Sequence, residues 1–298
     1  MKLLLSGTDF VYMKQMNSRR IMKLTDVSKT AFLTLRSHVI ESQKKNPIID
    51  DSMAAYCLEK LISLASDKEK TLLVNRKLPS LLTRHIAIRA RKYDLIVNEF
   101  ISKNSPCTVI NLGCGFDTRY WRINNKECKY FDLDLPELIA IKKEILKEHL
   151  LYELIGCSVL DASWIDTIAS NGNRNILLIA EGLFMYLPKD EVINLFRILS
   201  KRFFHSQIIL EVVTERYTKG IMKKVVTRKM KRQLGVEAGS SYDFGIKNGN
   251  ELESYGDGVK VIDEWSYFED PDSRMRILKY LGFSRKQWTV TATINESK

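Results

Sequence analysis

From Thr108 to Val213 the chain alternates short apolar runs with helical stretches, and this limits the possible folds more than any other feature. "TVINLG", "KYFDLD", "ELIGCSVL", "NILLIAEGL" and "SQIILEVV" read as five strands. "PELIAIKKEILKEHL" and "PKDEVINLFRILSKRF" read as helices, each opened by a proline whose missing N–H costs nothing in a first turn. "DASWIDTIAS" reads as a shorter helix. Strands separated by helices predict a mostly parallel sheet covered on both faces. Further on, "VKVIDEWSYF" and "WTVTATI" bring the strands to seven, with "PDSRMRILKYLG" as a helix between them. The alternating pattern of "WTVTATI" suggests an edge strand.

Upstream lies helical sequence. Ala31, Leu35 and Val39 fall on one face of a first helix. A second helix is predicted from Met53 to Leu64, capped by Asp50, Asp51 or Ser52, and a third from Pro79 to Ser102. The expected fold class is α/β: a doubly wound, Rossmann-like, seven-stranded sheet. One domain would span 25–298, with a helical cap over 25–104 and a lid-like insertion over 214–258. Residues 1–24 read as a poorly ordered leader, with Met22 as an alternative start. Its three leucines are too short a run for a signal peptide.

Composition narrows the class. Hydrophobic content of 45% and charged content of 28% indicate a globular chain. No run reaches the roughly 20 apolar residues of a membrane-spanning helix. The five cysteines are odd in number and lack CxxC spacing, so reduced thiols in the cytoplasm are expected, with no disulfide framework and no metal site. Cys114 reads as a small filler. The net charge of +11 is concentrated in the leader and in Thr218–Gly235. Lys223, Lys224, Arg228 and Lys231 of that second run form either a solvated helix face or an attraction for an anionic acceptor.

Ligands of a doubly wound sheet bind at the carboxyl ends of its strands. The first strand ends in Gly113-Cys114-Gly115, where glycines let a ligand approach the backbone. About 20 residues on, Asp132 and Asp134 end the second strand, and an acid there can accept hydrogen bonds from a ribose. Leu135 follows them. Ser158, Val159 and Asp161, after the third strand, are candidates for reading an adenine edge. Glu181 and Gly182 close the fourth strand, and an acid in so apolar a run needs a partner, such as a ligand cation. The third glycine of a dinucleotide fingerprint is absent. A ligand with one ribose, a positive charge and no pyrophosphate fits, and S-adenosylmethionine is such a molecule. Arg89 or Arg91 could grip its carboxylate.

These motifs together resemble those of the leucine carboxyl methyltransferase family, in particular its bacterial branch, which is similar to O-methyltransferases of polyketide biosynthesis. The matching stretches are "RARKYD", "GCGFDTRYWR", "DLDLP", "AEGLFMYL", the opening "SKTAFLTLRSHVIES…IIDDSMA" and the late "VIDEWSYFEDP". They cover about Thr25 to Ile294. The resemblance implies a class I methyltransferase that uses S-adenosyl-L-methionine and releases S-adenosyl-L-homocysteine. It implies that Arg89 meets the methionine carboxylate, Gly113 lines the cofactor, Asp134 takes the ribose and Glu181 lies by the amino end. Asp117 and Arg119 would fix the turn by pairing with neighbouring backbone or with each other. Tyr186 would face the acceptor, as would a basic residue of the first helix, either Arg36 or His38. The implied reaction is methyl transfer to a carboxylate or acidic hydroxyl of a small molecule. The alternatives within the family are a protein C-terminal carboxylate and a modified tRNA base. No RNA-binding module is evident.

Overall fold

The computed structural model describes residues 26–66, 70, 74, 77–169, 175–203, 205–234, 241–274 and 286–295. The leader and residues 275–282 of the helix expected at 271–282 lie outside these residues, and 271–274 are not helical. Three helices come first: α1 (Asp26–Ser42), α2 (Ser52–Leu64) and α3 (Ser80–Asn104). Of the three capping candidates for α2, Asp51 does the work, its carboxylate accepting from the Ala54 N–H at 3.0 Å. The α/β part follows as β1 (Cys107–Leu112), β2 (Cys128–Asp134), α4 (Pro136–Leu146), β3 (Glu153–Gly156), α5 (Ser163–Ala169), β4 (Ile176–Ala180), α6 (Lys189–Arg202) and β5 (Ser206–Val213). Helix α7 (Gly220–Leu234), β6 (Val259–Trp265) and β7 (Gln287–Ile294) complete the described elements.

The seven strands form one sheet in the order β3-β2-β1-β4-β5-β7-β6. The first five are parallel. Each residue of β1 and of β4 is buried, as expected of strands covered on both faces. Helix α6 shows how the cover is held. Val192, Leu195, Phe196 and Leu199 recur at helical spacing and are buried. Asp190 and Glu191 sit in its first turn and Lys201 and Arg202 in its last, matching the helix dipole.

Strand β7 is not an edge strand. It runs antiparallel between β5 and β6, and β6 is the edge. The alternation in "WTVTATI" misleads because its threonines are packed inside: Thr289 and Thr291 are buried. β3 also stops earlier than expected, at Gly156, because the chain turns at Ser158 so that Asp161 can accept the Ser163 N–H ahead of α5.

Sequence order reverses at β1, with β2 on one side and β4 on the other. This switch point opens a crevice beyond the strand ends. The N-terminal helices close it from one side, α1 packing against α2 and α3. The segment after β5 closes it from another. Its far end is pinned to the sheet, with the Ile246 N–H donating to Val213 O and the Asp243 N–H to Met185 O. Among the described residues no helix is long and apolar enough to cross a membrane.

Candidate functional site

The crevice holds a cavity of about 630 Å³, within the range of roughly 300–1,000 Å³ common for small-molecule sites. Gly113 and Gly115 form its floor with φ of 62° and 52°, a left-handed backbone that side chains disfavour. A Cβ on Gly113 would stand 2.7 Å from the Leu183 side chain, and one on Gly115 2.9 Å from the Ala31 Cβ. The second glycine therefore lets α1 settle onto the turn.

Asp134 stands beside that turn on the cavity wall. Its Oδ2 accepts the Gly115 N–H at 2.8 Å and its Oδ1 the Leu135 N–H at 2.7 Å. The carboxylate is thus fixed in place, with lone pairs left for a further donor. Burial raises its pKa, against the pull of the two amides. Cys114, Leu135, Ser158, Val159, Glu181 and Gly182 also line the cavity. Burial pushes the Cys114 thiol far up, which suits a filler and not a nucleophile.

Several candidates fall elsewhere. Asp132 does not reach the cavity. It is buried one strand repeat further back, where it accepts from Lys142 Nζ at 2.7 Å, from Tyr152 OH at 2.9 Å and from Asn111 Nδ2 at 3.1 Å. Asp161 is exposed and serves the start of α5. Arg91 points away to Asp270 and Asp272. Between the two basic candidates of α1, His38 lines the cavity and Arg36 does not.

From the wall inward runs a largely buried chain of alternating charge. Arg89 donates through Nε to Glu181 Oε1 at 2.6 Å and through Nη1 to Glu211 Oε2 at 2.8 Å. Glu181 also takes Arg119 Nη2 at 2.5 Å. Arg119 continues to Asp94 at 2.8 Å and to Asp117 at 2.7 Å. Arg122 then links Asp94 at 2.7 Å, Asp117 at 3.2 Å and Asp51 at 2.6 Å. Asp51 ends the chain on His38 Nδ1 at 2.9 Å, and the buried Nε2 of that ring has no partner among the described residues.

Burial works against the charged form of Glu181, yet Arg89 and Arg119 outweigh it and hold the carboxyl below its usual range. Asp117 is held low in the same way by Arg119 and Arg122. Glu211 goes the other way: burial raises it, and Arg89 alone does not offset burial and Glu181 together. Five carboxylates face three guanidiniums in this chain, so its acids outnumber its arginines. Glu211 and Asp94 were not singled out as site residues from the sequence. The signal for Glu211 was present: an acid inside the apolar run "SQIILEVV", like Glu181 in its own run.

Also on the cavity wall, Tyr186 packs against Tyr242 of the insertion, ring centroids 5.9 Å apart. Burial and the nearby Glu211 push the Tyr186 hydroxyl up to about 12, so it keeps its proton at neutral pH. Tyr217, Val226 and Asp243 bring more of the insertion to the cavity, and Lys223 of α7 pairs with Asp243 at 2.6 Å. Burial, with Arg89, pushes His85 down to about 3.

The sequence model of the leucine carboxyl methyltransferase family matches residues 31–200. The chain belongs to that family. It is therefore a methyltransferase whose donor is S-adenosylmethionine. Among curated relatives, the tetracenomycin polyketide synthesis O-methyltransferase TcmP of Streptomyces glaucescens is 26% identical over 254 residues, covering 84% of this chain and 86% of that protein. The S-adenosyl-L-methionine-dependent methyltransferase dpfgK of Gibberella zeae is 26% identical over 256 residues, covering 83% and 84%. Among solved structures, a DUF574 family protein from Streptomyces avermitilis shares the fold, with a TM-score of 0.51 at 12% identity over 87% of this chain and 96% of that one.

The residues lining the cavity fit such a donor. Gly113 and Gly115 let Leu183 and Ala31 pack against the turn that lines the cavity. Asp134 is a fixed acceptor for a diol. Arg89 offers a guanidinium to a carboxylate. The excess of acids along the buried chain suits a molecule that brings positive charge.

Proposed function

We propose that this methyltransferase transfers a methyl group to the carboxylate or acidic hydroxyl of a small, polyketide-like molecule. The observation that carries the reading is a single cavity lined both by the glycine turn, Asp134 and Arg89 and by Tyr186 with Tyr242 of the insertion. The kinship with a polyketide-synthesis O-methyltransferase over most of both chains supports that acceptor class.

When bound, S-adenosylmethionine supplies an activated methyl group on a sulfonium. In this reading Asp134 holds the ribose hydroxyls, Arg89 and Glu181 hold the amino-acid end, and Ser158 and Val159 flank the adenine. Cys114, Leu135 and Gly182 complete the lining. Tyr186, with Tyr242, positions the acceptor and excludes water, and His38 stands at the α1 side. No general base is required of the wall, because a carboxylate is already ionised at pH 7. The chain then contributes mainly by alignment, which can be worth several orders of magnitude in rate. The reduced thiols are consistent with action in the cytoplasm.

The test is methyl transfer from radiolabelled S-adenosylmethionine to a panel of aromatic carboxylates, acidic phenols, simple alcohols and amines. Transfer to the first two groups is expected. A strict preference for amines or unactivated alcohols would overturn the reading.

A further inference from the structure

The amino ends of β1 and β2 carry a pair of cysteines. Cys107 and Cys128 stand opposite each other in the parallel register of the two strands. The Cys107 N–H donates to Glu127 O at 3.4 Å, a ladder bond that sets Cys128 beside it. Neighbouring strands run about 4.8 Å apart, and a disulfide joins Cα atoms roughly 4.4–6.8 Å apart.

The two side chains share a face of the sheet. Cys107 is buried with Val109 and Tyr130 against Tyr93 and Val97 of α3, and Cys128 packs against the same cluster. Cys107 to Val109 and Cys128 to Tyr130 are each one strand repeat, so both thiols project toward α3. The thiols hydrogen-bond to each other, which lowers the Cys107 pKa and, with burial, raises that of Cys128. The first proton to leave therefore belongs to the pair. Access is unequal: Cys107 is 0% exposed, while Cys128 is only partly buried. Cys157 is also partly buried, but its Sγ meets Ser158 O, Asp161 O and Ser163 Oγ. Cys114 sits at the opposite end of β1, in the glycine turn. Six residues of strand, at about 3.3 Å each, put the pair roughly 20 Å from that turn and outside the cavity.

We propose that Cys107 and Cys128 form a reversible redox site that closes to an intramolecular disulfide on meeting a small disulfide such as oxidised glutathione. The accessible Cys128 sulfur, as thiolate, attacks one sulfur of the oxidant and displaces a thiolate, leaving a mixed disulfide. Cys107 then attacks the Cys128 sulfur and displaces the second thiolate. The two cysteine protons end on the two thiols released, so the pair loses two electrons and the oxidant gains them. A reducing compartment reverses the exchange. The crosslink ties β1 to β2, whose far ends carry the glycine turn and Asp134.

The experiment incubates the full chain with excess oxidised glutathione, well below its unfolding temperature. Remaining thiols are then alkylated and the protein is mapped by mass spectrometry. Cys107 and Cys114 share a tryptic peptide, so fragmentation assigns the sulfur. The native protein should lose two of its five thiols to a Cys107–Cys128 link, and dithiothreitol should restore them. Glutathione on Cys157 is counted separately. In Cys107→Ala the reaction should stop at the mixed disulfide, raising glutathione on Cys128 several-fold over the native protein. In Cys128→Ala, Cys107 should stay reduced. Thermal unfolding checks that each variant is folded. A native protein with no Cys107–Cys128 link, or with that link only after unfolding in urea, overturns the proposal without recourse to any variant. Equal glutathione on Cys128 in the native and Cys107→Ala proteins overturns it as well.

Discussion

Arg119 illustrates what one residue can hold. Its side chain is 0% exposed and faces Asp94, Asp117 and Glu181. The "DTR" sequence was enough to expect a turn-fixing pair, and Asp117 and Arg119 do pair. It could not show that the same guanidinium also reaches Glu181, 62 residues on. Replacing Arg119 with Met would leave three acids without this cation. Removing one partner of a buried ion pair commonly costs about 3–5 kcal/mol. Urea unfolding of Arg119→Met should show a loss of that order, with weaker donor binding as a consequence. A loss under about 1 kcal/mol would mean that the chain of charges does not hold the turn. Asp132 and Asp134 carry the opposite lesson. Two acids two residues apart point the same way from a strand, yet only the second reaches the cavity, because Lys142 claims the first.

Elements with a clean period were legible. The apolar spacing of α6, the unbroken apolar run of β4 and the largely apolar run of β1 place them correctly, because burial on one face or on both writes itself into the sequence. β7 was misread because buried threonines look like a solvated face. The insertion was legible only as an interruption of the alternation. That its far end bonds back to Met185 and Val213, and that Tyr242 meets Tyr186, depends on contacts with no local signature. The basic residues of α7 belong to this element. Neutralising Lys223, Lys224, Arg228 and Lys231 together should raise the acceptor KM several-fold while changing the donor KM little. Steady-state kinetics with each substrate varied in turn checks this, and equal effects on both would remove the insertion from the acceptor side.

The whole molecule combines a net charge of +11 with a buried chain at the cavity in which acids outnumber arginines. Charge on the surface and charge at the site therefore answer to different needs. The surface sets solubility and long-range attraction, and the cavity sets which ligand can be desolvated there. The buried acids also set the pH range of stability. Asp51, Asp117 and Glu181 are held below their ordinary range by arginine partners, despite burial. Their contribution to stability is present above about pH 4 and is lost as the pH falls through that point toward their native values. Asp132, Asp134 and Glu211 are raised by burial and act in the reverse sense, losing stability as the pH rises through their native values. The two sets oppose each other between pH 5 and pH 3, and removing a depressed acid tips the balance: the urea midpoint of Asp117→Asn should fall less over that range than that of the native protein.

By itself the sequence determined the class of fold, the glycine turn at the first strand end, the acid at the second and the family these motifs belong to. Each is a local pattern, set by periodicity or by the few residue types that a turn or strand end tolerates. Only the tertiary structure decided which acids face the cavity and which are consumed by partners. It also placed Glu211 beside Arg89 and brought Tyr242 of the insertion onto Tyr186 at the cavity. These depend on side chains far apart in the chain competing for the same few cations, and that competition is settled only when the elements pack.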